Sequence, residues 1–142
     1  MTQTASAAIL RQREQPIANR GGGASTIPLV TPANGARQLI NGITRLEPGK
    51  QIPLHFHNCE ESVLLLEGQA VAVIDGVEYP LEPGDTTWIP ANLPHFFRNV
   101  SQTEVMRIFW TYASIEATRT LVETGATHPV AAEHTKDKLI QR

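Results

Sequence analysis

The histidines are the residues of this sequence whose spacing most directly indicates chemistry. Three of the five lie in two short segments, His55-Phe56-His57 and Pro94-His95. Residues i and i+2 of a β-strand point to the same face, so the His55 and His57 imidazoles project side by side if the segment is extended. Glu61 follows at the start of the next apolar run. Imidazole and carboxylate donors suit Mn, Fe, Co, Ni, Cu or Zn, and the lack of paired thiolates argues against a structural zinc finger.

Two longer motifs contain these residues. The first reads Gly49-(5 residues)-His55-Phe56-His57-(3 residues)-Glu61-(6 residues)-Gly68, and it resembles the first cupin motif at every fixed position. The second reads Gly84-(5 residues)-Pro90-Ala91-Asn92-(2 residues)-His95-(3 residues)-Asn99, and it resembles the second cupin motif except that Asn92 replaces a glycine. Because Asn tolerates the left-handed conformation best among the other residues, we expect this turn to form.

The resemblance implies a fold, a ligand set and a cofactor. Cupins are all-β proteins built as a single jelly-roll β-barrel, and here the short stretch Gln69–Pro83 between the motifs is similar to that of the small microbial members. Carried over position by position, the resemblance implies one divalent transition metal per chain, held by His55, His57, Glu61 and His95. Four protein ligands leave one or two positions for water, dioxygen or a chelating substrate on an octahedral ion.

Short strand-like runs separated by turn signals must position these side chains. Asp75-Gly76 predicts a two-residue hairpin, and Glu47-Pro48-Gly49 and Glu82-Pro83-Gly84 predict two similar turns. The predicted strands are Arg37–Leu46, Ile52–His57, Ser62–Leu66, Ala70–Ile74, Val77–Leu81, Thr86–Ile89, His95–Asn99 and Val105–Tyr112. Eight strands without intervening helices indicate an antiparallel sandwich or barrel.

The pocket walls are predicted from strand parity. Phe97 shares the parity of His95 and should face inward, and Met106, Ile108, Trp110 and Tyr112 form one apolar face. Phe97, Trp110 and Tyr112 are therefore the candidate substrate-pocket residues. Arg107 and Arg119 could bind an anionic substrate, but we expect them to pair at the surface. We predict that His128 and His134 take no part in the site, and that Cys59 is an inert thiol.

The chain ends carry weaker patterns. We expect residues 1–25 to form a flexible N-terminal arm, residues 26–125 the barrel domain, and residues 126–142 a polar tail. Ile27–Val30 is predicted as an edge strand that pairs with a second subunit, which predicts a homodimer. Beyond Tyr112 a helical turn at Ile115–Ala117 is possible, and Thr118–Glu123 suits a strand as well as a helix.

Composition limits the partners. A formal charge of −2 and a pI near 6.2 provide no basic field for nucleic acid. A single cysteine, no apolar stretch of membrane-spanning length and no secretory signal favour a cytoplasmic protein.

Two classes of function follow from these patterns. One is a metal-dependent enzyme, dioxygenase-like or an isomerase or lyase, that acts on a small oxygenated organic acid or dicarbonyl. The other is a non-catalytic module that binds or senses a small ligand, and its metal would be structural.

Overall fold

Two antiparallel β-sheets face each other across one apolar core in the computed structural model, which describes residues 6–134 and 139–140. Among these residues no helix is long and apolar enough to cross a membrane. The strands are β1 (Ile17–Gly21), β2 (Ala24–Pro28), β3 (Ile40–Leu46), β4 (His55–His57), β5 (Glu61–Glu67), β6 (Ala70–Ile74), β7 (Val77–Leu81), β8 (Thr86–Ile89), β9 (His95–Asn99), β10 (Met106–Tyr112), β11 (Thr118–Leu121), β12 (Thr127–Pro129) and β13 (Leu139–Ile140). Short 3₁₀ helices cover Gln12–Glu14, Pro32–Asn34 and Val130–His134.

The strand order defines the jelly roll. The seven-stranded sheet has the order β13-β1-β2-β3-β10-β5-β8, and the six-stranded sheet has the order β12-β11-β4-β9-β6-β7. In β10 the buried and half-buried residues alternate strictly, so that Met106, Ile108, Trp110 and Tyr112 face the interior as predicted. The all-β jelly-roll prediction is confirmed.

The turns predicted at Asp75-Gly76 and at Asn92 form with the positive φ angles that were expected. Asp75 and Gly76 have φ values of 50° and 81°, so the β6–β7 hairpin closes with positive φ at both central positions. Asn92 has a φ of 66° and thus adopts the left-handed conformation expected of the glycine that it replaces.

Two predicted strands are shorter in the structure. β3 begins at Ile40 rather than Arg37 because its partner β10 ends opposite, at Tyr112. β4 begins at His55 rather than Ile52 because Pro53 has no N–H to donate to a ladder. The other bounds agree within one residue, and the ambiguous segment after Tyr112 contains strand β11.

The predicted arm at residues 1–25 needs correction where the structure describes it. Gly21, Gly22 and Gly23 all have positive φ, so the run that suggested a flexible linker forms the turn of the β1–β2 hairpin. The predicted strand Ile27–Val30 lies at Ala24–Pro28 instead, and it pairs with β1 and β3 of its own chain. Its proposed pairing with a second subunit is therefore wrong, and the homodimer stays a prediction without that basis.

The predicted polar tail at residues 126–142 is also ordered over its described part. Thr127–Pro129 pairs with β11, and Val130 and Glu133 of the following 3₁₀ helix are buried. A single buried Val and a buried ion pair leave no periodic pattern in the sequence, so these contacts could not be predicted from it.

Candidate metal centre

Three imidazoles meet on the inner face of the six-stranded sheet. His55 and His57 lie at i and i+2 of β4, and His55 is the direct ladder partner of His95 on β9. All three side chains are at most 2% exposed. The His55 ring centroid lies 4.7 Å from that of His57 and 4.4 Å from that of His95, and one ring nitrogen of each residue lies within 4.8 Å of the other two. Three nitrogen donors thus converge on one buried point.

Glu61 reaches the same point from the opposite sheet. It begins β5, and its Oε1 lies 3.0 Å from Nε2 of His95 and 3.6 Å from Nε2 of His57. Burial alone would raise the pKa of this carboxyl group, but its contacts with His95 and His57 and the charge of Arg119 outweigh burial and lower the pKa. The structure therefore brings together the four side chains that the resemblance had implied as ligands.

Backbone carbonyls fix the tautomer of each histidine. Nδ1 of His55 lies 2.7 Å from the Pro53 carbonyl oxygen, and Nδ1 of His57 lies 3.0 Å from that of Thr118. Nδ1 of His95 lies 2.8 Å from the Leu93 carbonyl oxygen. A carbonyl oxygen can only accept a hydrogen bond, so each Nδ1 carries a proton, and Nε2 is the ring nitrogen left to bind a metal. This is the arrangement that orients imidazoles as metal ligands.

The donor set fits a divalent metal. Burial is the main cause that lowers the pKa of His55 well below its ordinary value and the pKa of His57 to about 4, and the nearby Arg119 charge adds to both shifts. These rings are thus neutral near pH 7, the form that binds a metal. Nε2 of His57 is buried and has no hydrogen-bond partner among the described residues. The Nε2 lone pair of neutral His57 faces Oε1 of Glu61 at 3.6 Å, and a bound cation would relieve the repulsion between these two atoms.

The interior beside these donors is nearly filled. The chamber there has a volume of about 10 Å³, and its lining includes all three predicted pocket residues, Phe97, Trp110 and Tyr112. Nε1 of Trp110 donates to Oγ1 of Thr44 at 2.8 Å. The Tyr112 ring packs edge-on against His57, with ring centroids 4.6 Å apart. A chamber of this size has room for about one water-sized group.

Arg119 was wrongly predicted to pair at the surface. It is only 5% exposed and is the direct ladder partner of His57, because β11 pairs with β4. Its Nε donates to Oε2 of Glu133, and its Nη2 lies 3.5 Å from the Tyr112 hydroxyl. The structure thus adds a buried guanidinium directly beside the histidines.

The Glu133 carboxylate pairs with three basic side chains. Besides Arg119, its Oε1 lies 3.3 Å from Nη2 of Arg20, and its Oε2 lies 2.9 Å from Nε2 of His128. His134 stacks on Trp110 with ring centroids 5.7 Å apart, so neither His128 nor His134 is the bystander that the sequence predicted.

If Thr118–Glu123 had been assigned to a strand, the parity of Arg119 with Ala117 and Leu121 would have indicated its position. No sequence pattern indicated Arg20 or Glu133.

Comparison with known proteins places the chain in a family. A family model described as the cupin domain matches residues 42–112, which is half of the sequence, and the chain belongs to the cupin family. The chain is similar to polyketide synthase CurC of Streptomyces cyaneus, with 35% identity over 67% of this chain and 62% of that protein. Protein SchB of Streptomyces halstedii is 33% identical over 64% of this chain and 67% of its own length.

The solved structures agree on the fold. The polyketide cyclase RemF from Streptomyces resistomycificus superimposes with a TM-score of 0.71, which covers 88% of this chain and 86% of RemF at 20% identity. The chain is thus a cupin with enzyme relatives and three buried histidines that could hold a metal ion.

Proposed function

We propose that this protein is a metal-dependent enzyme that acts on a compact oxygenated organic acid or 1,3-dicarbonyl compound. The observation that carries the proposal is the locked set of histidine tautomers. Three separate backbone carbonyls hold His55, His57 and His95 with Nε2 directed at one point, and Glu61 approaches that point from the other sheet. A buried group of this kind has no role in core packing, since apolar side chains would fill the space at lower cost.

The donor set supports catalysis as well as binding. His55, His57, Glu61 and His95 would hold the metal, and four protein ligands leave open positions on an octahedral ion. When bound, the metal would supply Lewis-acid polarisation of substrate oxygens.

The surrounding residues would orient the substrate and exclude water. Arg119 would face a negatively charged substrate oxygen from the position beside His57, and the Tyr112 hydroxyl lies next to that guanidinium. Phe97 and Trp110 would cover the apolar part of the substrate and exclude water from the reacting atoms.

The substrate class is inferred from the relatives together with this lining. CurC carries the name polyketide synthase, and polyketide chains are built from alternating carbonyl groups, which are 1,3-dicarbonyl units. Two oxygens at that spacing suit two adjacent open positions of a metal. Isomerase, lyase or cyclase chemistry needs only polarisation and proton transfer, whereas a dioxygenase-like reaction also needs dioxygen, so an assay with and without dioxygen separates them.

One observation favours the non-catalytic alternative. The chamber of about 10 Å³ beside the histidines admits no organic substrate without movement of the residues around it. A protein that keeps this chamber closed would use the metal to tie the two sheets together.

Cobalt substitution tests the proposal against this alternative. Acetylacetone or oxalate should change the visible spectrum of the cobalt-loaded protein, and the change should disappear in His95→Ala. The matched control is Glu60→Gln, because Glu60 precedes the predicted ligand Glu61 but is exposed and bonds Trp88, and this variant should respond like the parent. If neither ligand alters the cobalt spectrum, and if no dicarbonyl is consumed with or without dioxygen, the metal is closed and structural.

A further inference from the structure

A second cavity lies next to the metal chamber and is much larger. Its volume is about 270 Å³, and Arg20, Ile52, Arg119 and Glu133 line both spaces. One end of the larger cavity is charged, and Leu121 is among its apolar walls. A cavity of this size, at the low end of ligand pockets, suits a compact molecule that has one charged end and one apolar end.

The charged end has an excess of positive charge. Two guanidinium groups, Arg20 and Arg119, share the single carboxylate of Glu133, and His128 bonds the same carboxylate. Burial tends to lower the pKa of Arg119, but the Glu133 carboxylate and other negative groups outweigh this and raise it. The charged end therefore carries a net charge of at least +1.

One nitrogen of the Arg119 guanidinium group lacks a hydrogen-bond partner among the described residues. Its Nε bonds Glu133 and its Nη2 faces Tyr112, but its buried Nη1 has no partner among the residues that the structure describes. An unpartnered buried guanidinium nitrogen is costly, and a ligand carboxylate is the group that best satisfies it.

We infer that this cavity is a carboxylate-binding subsite for a compact organic acid. The acid's carboxylate would bind Nη1 of Arg119 with support from Arg20, and it would compete with the Glu133 carboxylate for these two guanidinium groups. The apolar body of the acid would lie against Ile52 and Leu121.

The subsite is oriented toward the metal centre. Arg119 and His57 are direct ladder partners, and the side chains of such a pair lie on the same face with Cβ atoms about 5 Å apart. An acid held at Arg119 would thus have its carboxylate end next to the histidines. The orientation of the substrate rests on the proposed function, whereas the binding of a carboxylate does not.

Calorimetric titration with benzoate and its neutral isostere benzamide tests the inference. Benzoate should bind and benzamide should not. Arg119→Gln should weaken benzoate binding at least about tenfold, because it removes the buried charge that pairs with the ligand. Arg45→Gln is the matched control, since Arg45 is an exposed arginine that pairs with Glu47, and benzoate affinity should not change.

Glu133→Gln gives a result that misfolding cannot imitate. Removal of the competing carboxylate should tighten benzoate binding on the order of tenfold, because the ligand no longer faces a like charge at short range. Unchanged or weaker benzoate binding in Glu133→Gln, or equal binding of benzoate and benzamide, would overturn the subsite.

Metal-depleted protein separates this inference from the proposed function. Benzoate should bind the depleted protein with the same dependence on Arg119 and Glu133, since the subsite needs no metal. If that dependence holds but no dicarbonyl reacts, the proposed reaction alone fails. If metal binding and turnover are found but the benzoate affinity is the same in Arg119→Gln and Glu133→Gln as in the parent, the subsite alone fails.

Discussion

Replacement of Glu133 by Gln should destabilise this protein by an amount that depends on pH. Burial alone would raise the pKa of Glu133, but Arg119, Arg20 and His128 outweigh burial and lower the pKa to about 2 from the ordinary 4.5. A pKa lowered by this amount corresponds to about 3 kcal/mol of folding free energy at neutral pH. The substitution leaves the buried Arg119 and the half-buried Arg20 without their anion, and removal of the partner of a buried charge typically costs about 3–5 kcal/mol.

The sign follows from the direction of the shift. Because the folded-state pKa lies below the unfolded one, the ionised carboxylate stabilises the fold above pH 4.5, and this stabilisation is lost as the pH falls from 4.5 toward 2. The difference in unfolding free energy between the parent and Glu133→Gln should thus be about 3 kcal/mol above pH 5. It should shrink as the pH falls from 4.5 toward 2, and near pH 2 the folded-state carboxyl group becomes protonated and equivalent to the amide.

Urea unfolding of metal-depleted protein at several pH values, followed by tryptophan fluorescence, measures this difference. Glu78→Gln is the control, because Glu78 is 60% exposed and pairs with Arg98 at 3.4 Å, an interaction that contributes no more than about 1 kcal/mol. A difference for Glu133→Gln that stays constant from pH 7 to pH 3, or that is no larger than for Glu78→Gln, would refute the reasoning.

Three further predictions concern packing and assembly. Asn99→Ala should lower the unfolding free energy by about 2–3 kcal/mol in thermal or urea melts without loss of metal, because the buried Nδ2 of Asn99 bonds three backbone carbonyls far from the ligands; a melt equal to that of the parent would contradict this. Gly42→Ala should cost about 1–3 kcal/mol and alter Trp110 fluorescence, since a Cβ there would lie 2.6 Å from the Ile27 carbonyl oxygen and 2.7 Å from the Trp110 ring; unchanged fluorescence and stability would show that the site is not tight. Light scattering at micromolar concentration should give the mass of a dimer, and a monomer mass would end that prediction.

The sequence predicted the middle of the fold well because its signals there are local. Strand parity and turn chemistry each involve residues within a few positions of one another, as at Asp75-Gly76 and along Met106–Tyr112. The four residues implied as ligands lie within the two motifs, so the fixed spacing of the motifs was enough to single them out. The structure added the backbone carbonyls that set the histidine tautomers, which no side-chain pattern records.

The ends of the chain could not be predicted because their signals are tertiary. Gly21-Gly22-Gly23 has the composition of a flexible linker, and only the pairing of β1 and β2 makes it a turn. Arg20, Arg119 and Glu133 are distant in sequence, and each of them alone is an ordinary surface residue by composition. Their burial is evident only once β1, β11 and the last 3₁₀ helix lie together beside the metal chamber.

Metal content of the purified protein tests the central claim most directly. Elemental analysis should find close to one divalent transition metal per chain in the parent and in His128→Ala, and His57→Ala should lose most of it, since Nε2 of His57 has no other partner among the described residues. The same metal content in His57→Ala as in the parent, or a parent protein that takes up no transition metal, would contradict the account.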